Sequence, residues 1–338
     1  MHYFALDEQI ASQPAAVQAV LQRLASQSKL LDPDRPLILV GIGTSYHACR
    51  VAAYWVDALS QGKQYARVYS AHEFALSIPV SAEDQVVVVS HRGTKTYPLK
   101  ALERARQAGA YTIIVTSEET PPPPSVDLIL PTCPGERSST HTVSYLSALA
   151  VLATLVTHYT NATKTSWYSA LQRIPEAIEQ TLQFPAPVTV AEQLAHCYPI
   201  LVAGYGIDAI TAEEAALKLK EGTYIWAEGF ELENVLHGPP AAFHEKLGAL
   251  CITSALDDGG RMQELYHEVK ELGGTAFTCG TQEADLLFAP VEQLLRPFVA
   301  VVPLQRLVAE IARIRQSNPD TIHIDMEPWK TAMGRVTL

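Results

Sequence analysis

The chain is poor in cysteine, and its five cysteines are scattered at positions 49, 133, 197, 251 and 279. No two of them have the CxxC spacing, so the common zinc-binding and thioredoxin-like motifs have no support. An odd, dispersed set in a chain of 338 residues is typical of a reducing compartment. We therefore expect a cytoplasmic protein.

Positive charge and long apolar runs are also scarce. The 25 Lys and Arg residues stand against 36 Asp and Glu, which gives a net charge of −11. A nucleic-acid partner needs a concentrated basic surface, so we expect none. No apolar run reaches the ~18 residues of a membrane span. The first residues also lack the basic and apolar segments of a signal peptide, so we expect no membrane association.

Short apolar runs that alternate with helical patterns are what the chain does have, and 48% of its residues are hydrophobic. Strands that are apolar on both faces and alternate with helices indicate a parallel sheet covered on both sides. The sequence therefore predicts an α/β fold. The predicted strands are residues 37–40, 86–89, 111–116, 128–130, 200–203, 249–253, 275–278 and 286–288.

Two G-x-G turns suggest an internal duplication. Gly41 and Gly43 follow the first predicted strand of one half, and Gly204 and Gly206 follow the first predicted strand of the other. We read this as two α/β units of ordinary domain size. The predicted segments are an N-terminal helix in 1–30, a first unit in 31–165, a connecting helix and linker in 166–189, a second unit in 190–320 and a tail in 321–338.

The first G-x-G turn is a candidate anion site. Gly43, Thr44 and Ser45 lie between a predicted strand and a helix, where backbone N–H groups and hydroxyls can face a phosphate. The turn lacks the third glycine of the dinucleotide fingerprint and the lysine of a P-loop. A tight turn capped by Ser and Thr is an equally good interpretation.

The loop after the second strand carries hydroxyl, glycine and basic side chains. Ser90, Arg92, Gly93 and Lys95 would suit a phosphate in a chain this acidic, although a solvated loop remains an alternative. Farther on, Ser139 and His141 lie in a hydroxyl-rich run before an apolar helix. That run either closes the same pocket or forms an N-cap.

A helix is predicted to begin at a capping box made by Thr211 and Glu214 and to end near Trp226. Glu221 then shares a helix side with Leu217 and Tyr224, and apolar neighbours would raise its pKa toward that of a general base. The alternative is a surface glutamate paired with a lysine, either Lys218 or Lys220.

His237 lies in a Leu-His-Gly-Pro sequence that reads as a loop. By itself it could equally be a capping or buried structural histidine.

Together these pieces resemble the sugar isomerase (SIS) superfamily, and more closely the isomerase half of glucosamine-6-phosphate synthase and its stand-alone relatives. The similarity is carried by residues 43–48 in the first unit, 216–224 and 237–239 in the second, and 302–305 near the C-terminus. It spans nearly the whole chain.

The resemblance implies two tandem SIS domains, each a parallel sheet flanked by helices. It also implies that Thr44, Ser45 and the loop from Ser90 hold the phosphate of a sugar phosphate. Glu221 corresponds to the base that moves a proton between C1 and C2. His237 corresponds to a histidine that assists ring opening across a homodimer interface. Neither a metal nor an organic cofactor is expected.

Three departures from the family pattern narrow this expectation. The phosphate loop reads Ser-His-Arg-Gly-Thr-Lys from Ser90, where the family has a sequence close to Ser-Gln-Ser-Gly-Glu-Thr. No lysine stands where the synthase forms a Schiff base: Arg335 is nearest, Lys330 is displaced, and an arginine does not form that imine. No glutaminase domain with an N-terminal cysteine is present in this sequence, so we expect no glutamine-dependent amidotransferase.

The pattern thus favours an amino-sugar-phosphate deaminase or isomerase that releases ammonia from glucosamine 6-phosphate. A simple phosphosugar isomerase and a fructosamine-6-phosphate deglycase are the alternatives among enzymes. A non-catalytic sugar-phosphate-binding regulator is the alternative from another class, although no helix-turn-helix extension accompanies it.

Overall fold

The computed structural model describes residues 3–27, 30–121, 123, 126–254 and 256–336. The remaining positions, among them the last two residues of the predicted tail, lie outside this description. Contacts divide the chain into two compact units, each discontinuous in sequence. Unit A comprises residues 13–136, 143–175 and 331–338, and unit B comprises residues 1–12, 137–142 and 176–330.

Each unit contains a five-stranded parallel sheet. In unit A the strand order is β2-β1-β3-β4-β5, and in unit B it is β10-β9-β8-β6-β7. The strands are β1 Leu37–Gly41, β2 Ala66–Ser70, β3 Gln85–Val89, β4 Tyr111–Thr116, β5 Leu128–Pro131, β6 Ile200–Gly204, β7 Ala227–Glu231, β8 Gly248–Ile252, β9 Thr275–Gly280 and β10 Leu286–Leu287. Counted along the chain, both sheets have the order second-first-third-fourth-fifth, which is the flavodoxin-like arrangement.

Helices flank these sheets, so both faces are covered. They are α1 Ala5–Leu24, α2 Thr44–Ser60, α3 Ala71–Leu76, α4 Thr96–Gln107, α5 Val143–Tyr159, α6 Ser166–Gln172, α7 Ile174–Gln183, α8 Val188–Leu194, α9 Ile207–Thr223, α10 Leu232–Leu236, α11 Arg261–Glu271, α12 Pro297–Arg315 and α13 Trp329–Gly334. Within the described ranges, each helix is too short or too polar to cross a membrane.

The eight predicted strands are confirmed, and two further strands were missed. β2 and β7 are the edge strands next to β1 and β6. An edge strand has one neighbour and one open side, so it needs fewer apolar residues. The half-buried Ala-Arg-Val-Tyr-Ser of β2 and Ala-Glu-Gly-Phe-Glu of β7 therefore lack a continuous apolar run.

The predicted start of α9 was wrong. The helix begins at Ile207, directly after the second G-x-G turn, and it ends at Thr223. Thr211 and Glu214 are both fully buried inside it, so they do not form a capping box. Thr211 and Glu214 are buried polar residues within the helix, and their spacing of three residues is the same as that of an N-terminal capping box. The connecting helix predicted within residues 166–189 is likewise two helices, α6 and α7.

The strand order reverses at one place in each sheet, between β1 and β3 in unit A and between β6 and β8 in unit B. Sheets of this type bind ligands in the crevice outside the carboxyl ends of the strands at such a switch point. In unit A the loops that leave this point begin at Gly41 and Ser90, so both predicted phosphate loops lie there.

Candidate functional site

The first G-x-G turn in unit A admits only glycine at its start. A Cβ on Gly41 would lie 2.5 Å from the backbone carbonyl carbon of Ser45, and Gly43 has a φ of 55°, which favours glycine. α2 begins at Thr44 immediately after this turn. The half-buried Thr44 and Ser45 thus occupy the N-terminal turn of a long helix at the switch point, where an anion is favoured.

The second loop of unit A follows β3 and is anchored to the loop after β4. The carbonyl oxygen of His91 accepts hydrogen bonds from Thr116 Oγ1 at 3.1 Å and from Thr120 Oγ1 at 3.2 Å. Gly93 has a φ of 61°, and a Cβ there would lie 2.1 Å from Thr120 Cγ2. A side chain at position 93 would therefore displace the loop.

Two cations of this loop lie near each other. Arg92 is exposed, and Lys95 is half-buried at the N-cap of α4. Burial and then the charge of Arg92 lower the pKa of Lys95 below its usual value. An anion bound beside them would relieve this repulsion. The structure therefore brings Gly43, Thr44, Ser45, Ser90, Arg92, Gly93 and Lys95 to one edge of the unit A sheet.

The second G-x-G turn, in unit B, has the same backbone but a different chemistry. Asp208 takes the place that Ser45 has in the first turn, and it is fully buried. Its carboxylate accepts from Arg296 Nε at 2.8 and 3.1 Å. Burial raises the pKa of Asp208 to about 6, although Arg296 acts against this rise. A carboxylate at this turn disfavours an anion, so the second turn is not a candidate anion site like the first.

Ser139 and His141 lie in the short 137–142 segment that belongs to unit B. The backbone N–H of Ser139 donates to the carbonyl of Asp320 at 3.0 Å, and Thr140 Oγ1 donates to the carbonyl of Pro319 at 2.8 Å. A Cβ on Gly222 would lie 3.6 Å from that same Thr140 oxygen. The segment thus packs near the last turn of α9, which carries Glu221.

Glu136 contributes to the capping of α5, a role that the sequence suggested for the hydroxyl-rich run of Ser139 and His141. In unit A, the carboxylate of Glu136 accepts from the backbone N–H of Val143 at 2.9 Å and from the hydroxyl of Ser144. Glu136 therefore satisfies one backbone donor, the N–H of Val143, at the start of α5.

Glu221 is paired with a buried lysine. Lys218 Nζ donates to Glu221 Oε2 at 2.6 Å and lies 3.6 Å from Glu214 Oε1. The Lys218 and Glu214 side chains are 1% and 0% exposed, whereas that of Glu221 is 24% exposed. The pairing of Glu221 with a lysine, one of the two interpretations of the sequence, is thus present. The ammonium group of Lys218 is buried, whereas the carboxylate of Glu221 is accessible to solvent.

His237 follows α10 and is exposed. Its Nε2 lies 2.7 Å from Oε1 of Glu233, one helical turn earlier. Gly238 has a φ of 106° and is followed by two prolines, which restrict the backbone after the histidine. The imidazole is therefore presented to solvent from a restrained turn.

Glu221 and His237 lie toward opposite ends of the strands in the unit B sheet, Glu221 near the amino ends and His237 near the carboxyl ends. α9 leaves the carboxyl end of β6 and returns to the amino end of β7, so Glu221 in its last turn is near the amino edge. His237 follows the carboxyl end of β7. The five residues of β7 span roughly 16 Å. These two residues of one chain do not form a single contact pair.

The tail packs against the end of α9 through an aromatic stack that the sequence did not reveal. The ring centroids of Tyr224 and His323 are 3.4 Å apart, and those of His323 and Trp329 are 4.1 Å apart. The Tyr224 hydroxyl also donates to the carbonyl of Asn318 at 2.8 Å. Arg335 follows α13, is exposed and belongs to unit A.

Comparison with known proteins identifies relatives of this chain. Residues 30–158 match the SIS domain. A glutamine–fructose-6-phosphate aminotransferase (isomerizing) of Zymomonas mobilis is 29% identical over 93% of this chain and 57% of its own length. The chain therefore spans a little over half the length of the curated relatives it matches.

Solved structures share the fold. The C-terminal domain of a glucosamine-fructose-6-phosphate aminotransferase from Francisella tularensis has a TM-score of 0.82 at 19% identity, over 94% of this chain and 98% of that one. A glucosamine-6-phosphate deaminase from Thermotoga maritima has a TM-score of 0.78 at 20% identity, over 94% and 97%. The match to the SIS domain covers residues 30–158, and the likeness in fold to these solved structures extends over nearly the whole chain.

Proposed function

We propose that the protein is a phosphosugar isomerase that acts on an amino sugar phosphate, and that it deaminates glucosamine 6-phosphate. The observation that carries the proposal is the carboxylate of Glu221, which is accessible to a ligand yet held at 2.6 Å by the ammonium of the buried Lys218. A fixed, accessible carboxylate is what a general base needs.

The phosphate would bind to the two loops at the unit A switch point. Backbone N–H groups at the start of α2, the hydroxyls of Thr44 and Ser45, and the hydroxyl of Ser90 are the donors there. Arg92 and Lys95 add positive charge where the family pattern has neutral hydroxyl side chains. Electrostatic attraction would therefore contribute more to phosphate binding in this protein.

Proton transfer would proceed on the open-chain sugar. Glu221 removes the C2 proton, and the electron pair forms the C1–C2 double bond of an enolamine. The C1 carbonyl oxygen becomes a hydroxyl by taking a proton from the C2 ammonium group of the substrate. Return of the proton to C1 gives the C2 imine of the ketose. Water adds to C2, and the nitrogen leaves as ammonia, so the products are fructose 6-phosphate and ammonia. The substrate brings its own nitrogen, so no lysine Schiff base is required at the tail position that Arg335 occupies.

A homodimer would bring His237 of one copy to the site that contains Glu221 of the other. Glu221 and His237 of one chain lie toward opposite edges of one sheet, so the histidine would assist ring opening at the site of a second copy. This arrangement agrees with the exposure of the His237 side chain, which is 72%.

A substrate panel tests the proposal. Glucosamine 6-phosphate, hexose 6-phosphates and fructosamine 6-phosphates are incubated with the protein, and both ammonia and ketose are measured. Release of both products from glucosamine 6-phosphate supports the deaminase. Ketose without ammonia from a hexose phosphate supports a simple isomerase, and turnover of fructosamine phosphates alone supports a deglycase.

The base is tested in the same assay. Glu221→Gln should lower turnover by about 10²–10⁴ because it removes the proton acceptor. Glu228→Gln, an exposed carboxylate on β7, is the matched control and should leave turnover unchanged. Full turnover in Glu221→Gln would contradict the assignment. Saturable sugar-phosphate binding without any product would instead show a regulator.

A further inference from the structure

Three charged or polar groups in unit B form a chain that ends at His237. Arg261 donates from Nε to Oε2 of Glu233 at 2.9 Å and from Nη2 to Oε1 of the same carboxylate at 3.0 Å. Oε1 of Glu233 also lies 2.7 Å from Nε2 of His237. A two-bond guanidinium contact fixes the plane of the carboxylate, so one of its oxygens faces the imidazole.

The backbone that carries this chain is itself restrained. Leu232 and Val235 are buried and anchor α10, the short helix that bears Glu233. Arg261 is the first residue of α11, which follows β8. The three groups therefore come from two separate elements at the carboxyl edge of the sheet. An ordinary surface pair between two residues of one helix turn would not need a third group from another helix.

The hydrogen bond determines which ring nitrogen carries the proton. The contact with Arg261, and next that with His237, lower the pKa of Glu233, so its carboxylate is ionised at neutral pH and can only accept. The Nε2 of a neutral His237 must then be the protonated nitrogen. Nδ1 is left as the nitrogen with the lone pair.

We infer that Glu233, oriented by Arg261, is a positioning residue that holds His237 in the Nε2–H tautomer and makes Nδ1 the nitrogen that acts on the sugar. This role rests on the proposed function. In ring opening, Nδ1 takes the proton of the C1 hydroxyl, and the C1–O5 bond breaks with its electron pair moving to O5. O5 then receives the proton from Nδ1, which leaves the aldehyde and a neutral imidazole.

The charged groups in the described contacts around His237 are Glu233 on its own helix and, through Glu233, Arg261 with Glu264 on α11. All of these side chains are more than a third exposed, so the pairs contribute little to stability. A loss of rate in a Glu233 variant would therefore report on His237 and not on unfolding.

Two measurements on the full chain test the inference. The nitrogen chemical shifts of the His237 ring, assigned with His237→Ala, report its tautomer in the wild type, in Glu233→Gln and in the control Glu264→Gln. Turnover of glucosamine 6-phosphate is measured on the same proteins. We expect the Nε2–H tautomer in the wild type and in Glu264→Gln, and a mixture with Nδ1–H in Glu233→Gln.

We also expect kcat to fall about tenfold to a hundredfold in Glu233→Gln, with KM little changed, as for other groups that orient a histidine. Glu264→Gln should retain the wild-type kcat. An unchanged tautomer and kcat in Glu233→Gln would overturn the inference while the proposed function stands. Absence of sugar-phosphate turnover in the wild type would overturn the proposed function and this role together.

Discussion

Glu221 and His237 lie toward opposite ends of the strands of one parallel sheet, and the strand between them, β7, spans roughly 16 Å. The first ends a helix that returns to the amino edge, and the second follows the strand that leads away from it. If both act on one sugar, each must come from a different copy of the chain.

Mixed dimers test this relationship. Glu221→Gln and His237→Ala should each be inactive alone, but refolding them together should restore about a quarter of the wild-type sites. The reason is that half of the dimers are mixed, and one of their two sites has both native residues. The assay is ammonia release, measured on the refolded mixture and on doubly tagged, purified heterodimers, in which one of every two sites should be active. Heterodimers with no activity would contradict a shared site.

Charge at the unit A loops should control anion binding. Arg92→Ala and Lys95→Ala should each weaken inorganic phosphate binding, whereas Arg106→Ala, an exposed arginine near the end of α4, should not. Burial and Arg92 lower the pKa of Lys95, so its charge is lost at a pH below the ordinary lysine value as pH rises. Binding should therefore weaken on the alkaline side.

Calorimetric titration with phosphate at several pH values measures this effect. The Lys95→Ala variant should lose the alkaline decrease, because the group that titrates has been removed. Equal affinity in the wild type and in both loop variants would place the anion elsewhere.

Removal of the buried lysine should destabilise the fold. Lys218→Met takes the ammonium away from Glu214, a fully buried carboxylate 3.6 Å from it. Breaking a buried pair in this way costs about 3–5 kcal/mol. Urea unfolding measures the loss. The control Lys220→Met removes a half-buried lysine that lies over the Trp226 ring, and should cost less than about 1 kcal/mol.

Close packing of α9 against α12 should depend on Gly222. A Cβ there would lie 2.4 Å from Val308 Cγ1, so Gly222→Ala should cost about 1–3 kcal/mol by overpacking. The double variant with Val308→Ala should recover part of that loss, since it removes the obstructing methyl group. Gly334→Ala, which meets open space, serves as the control. Equal unfolding midpoints for Gly222→Ala and Gly334→Ala would refute the close approach.

Several elements could be predicted because a continuous apolar run in the local sequence shows that they are buried. Strands such as β1 and β3 are apolar on both faces, since helices cover both sides of the sheet, and their runs stand out. The edge strands β2 and β7 could not be found in this way because each is only partly buried and lacks a continuous apolar run. The start of α9 was misplaced because buried polar residues imitate a cap.

The sequence by itself determined the α/β class, the central strands and the two glycine turns, since each follows from local hydrophobicity and backbone freedom. It also supplied the residue types of the candidate site. Only the tertiary structure decided their relationships. It buried Lys218 beneath Glu221, gave the second turn a carboxylate bound to Arg296, and set Glu221 and His237 toward opposite edges of a sheet. Such relationships depend on strand order and helix direction, which bring together residues that are far apart in the chain.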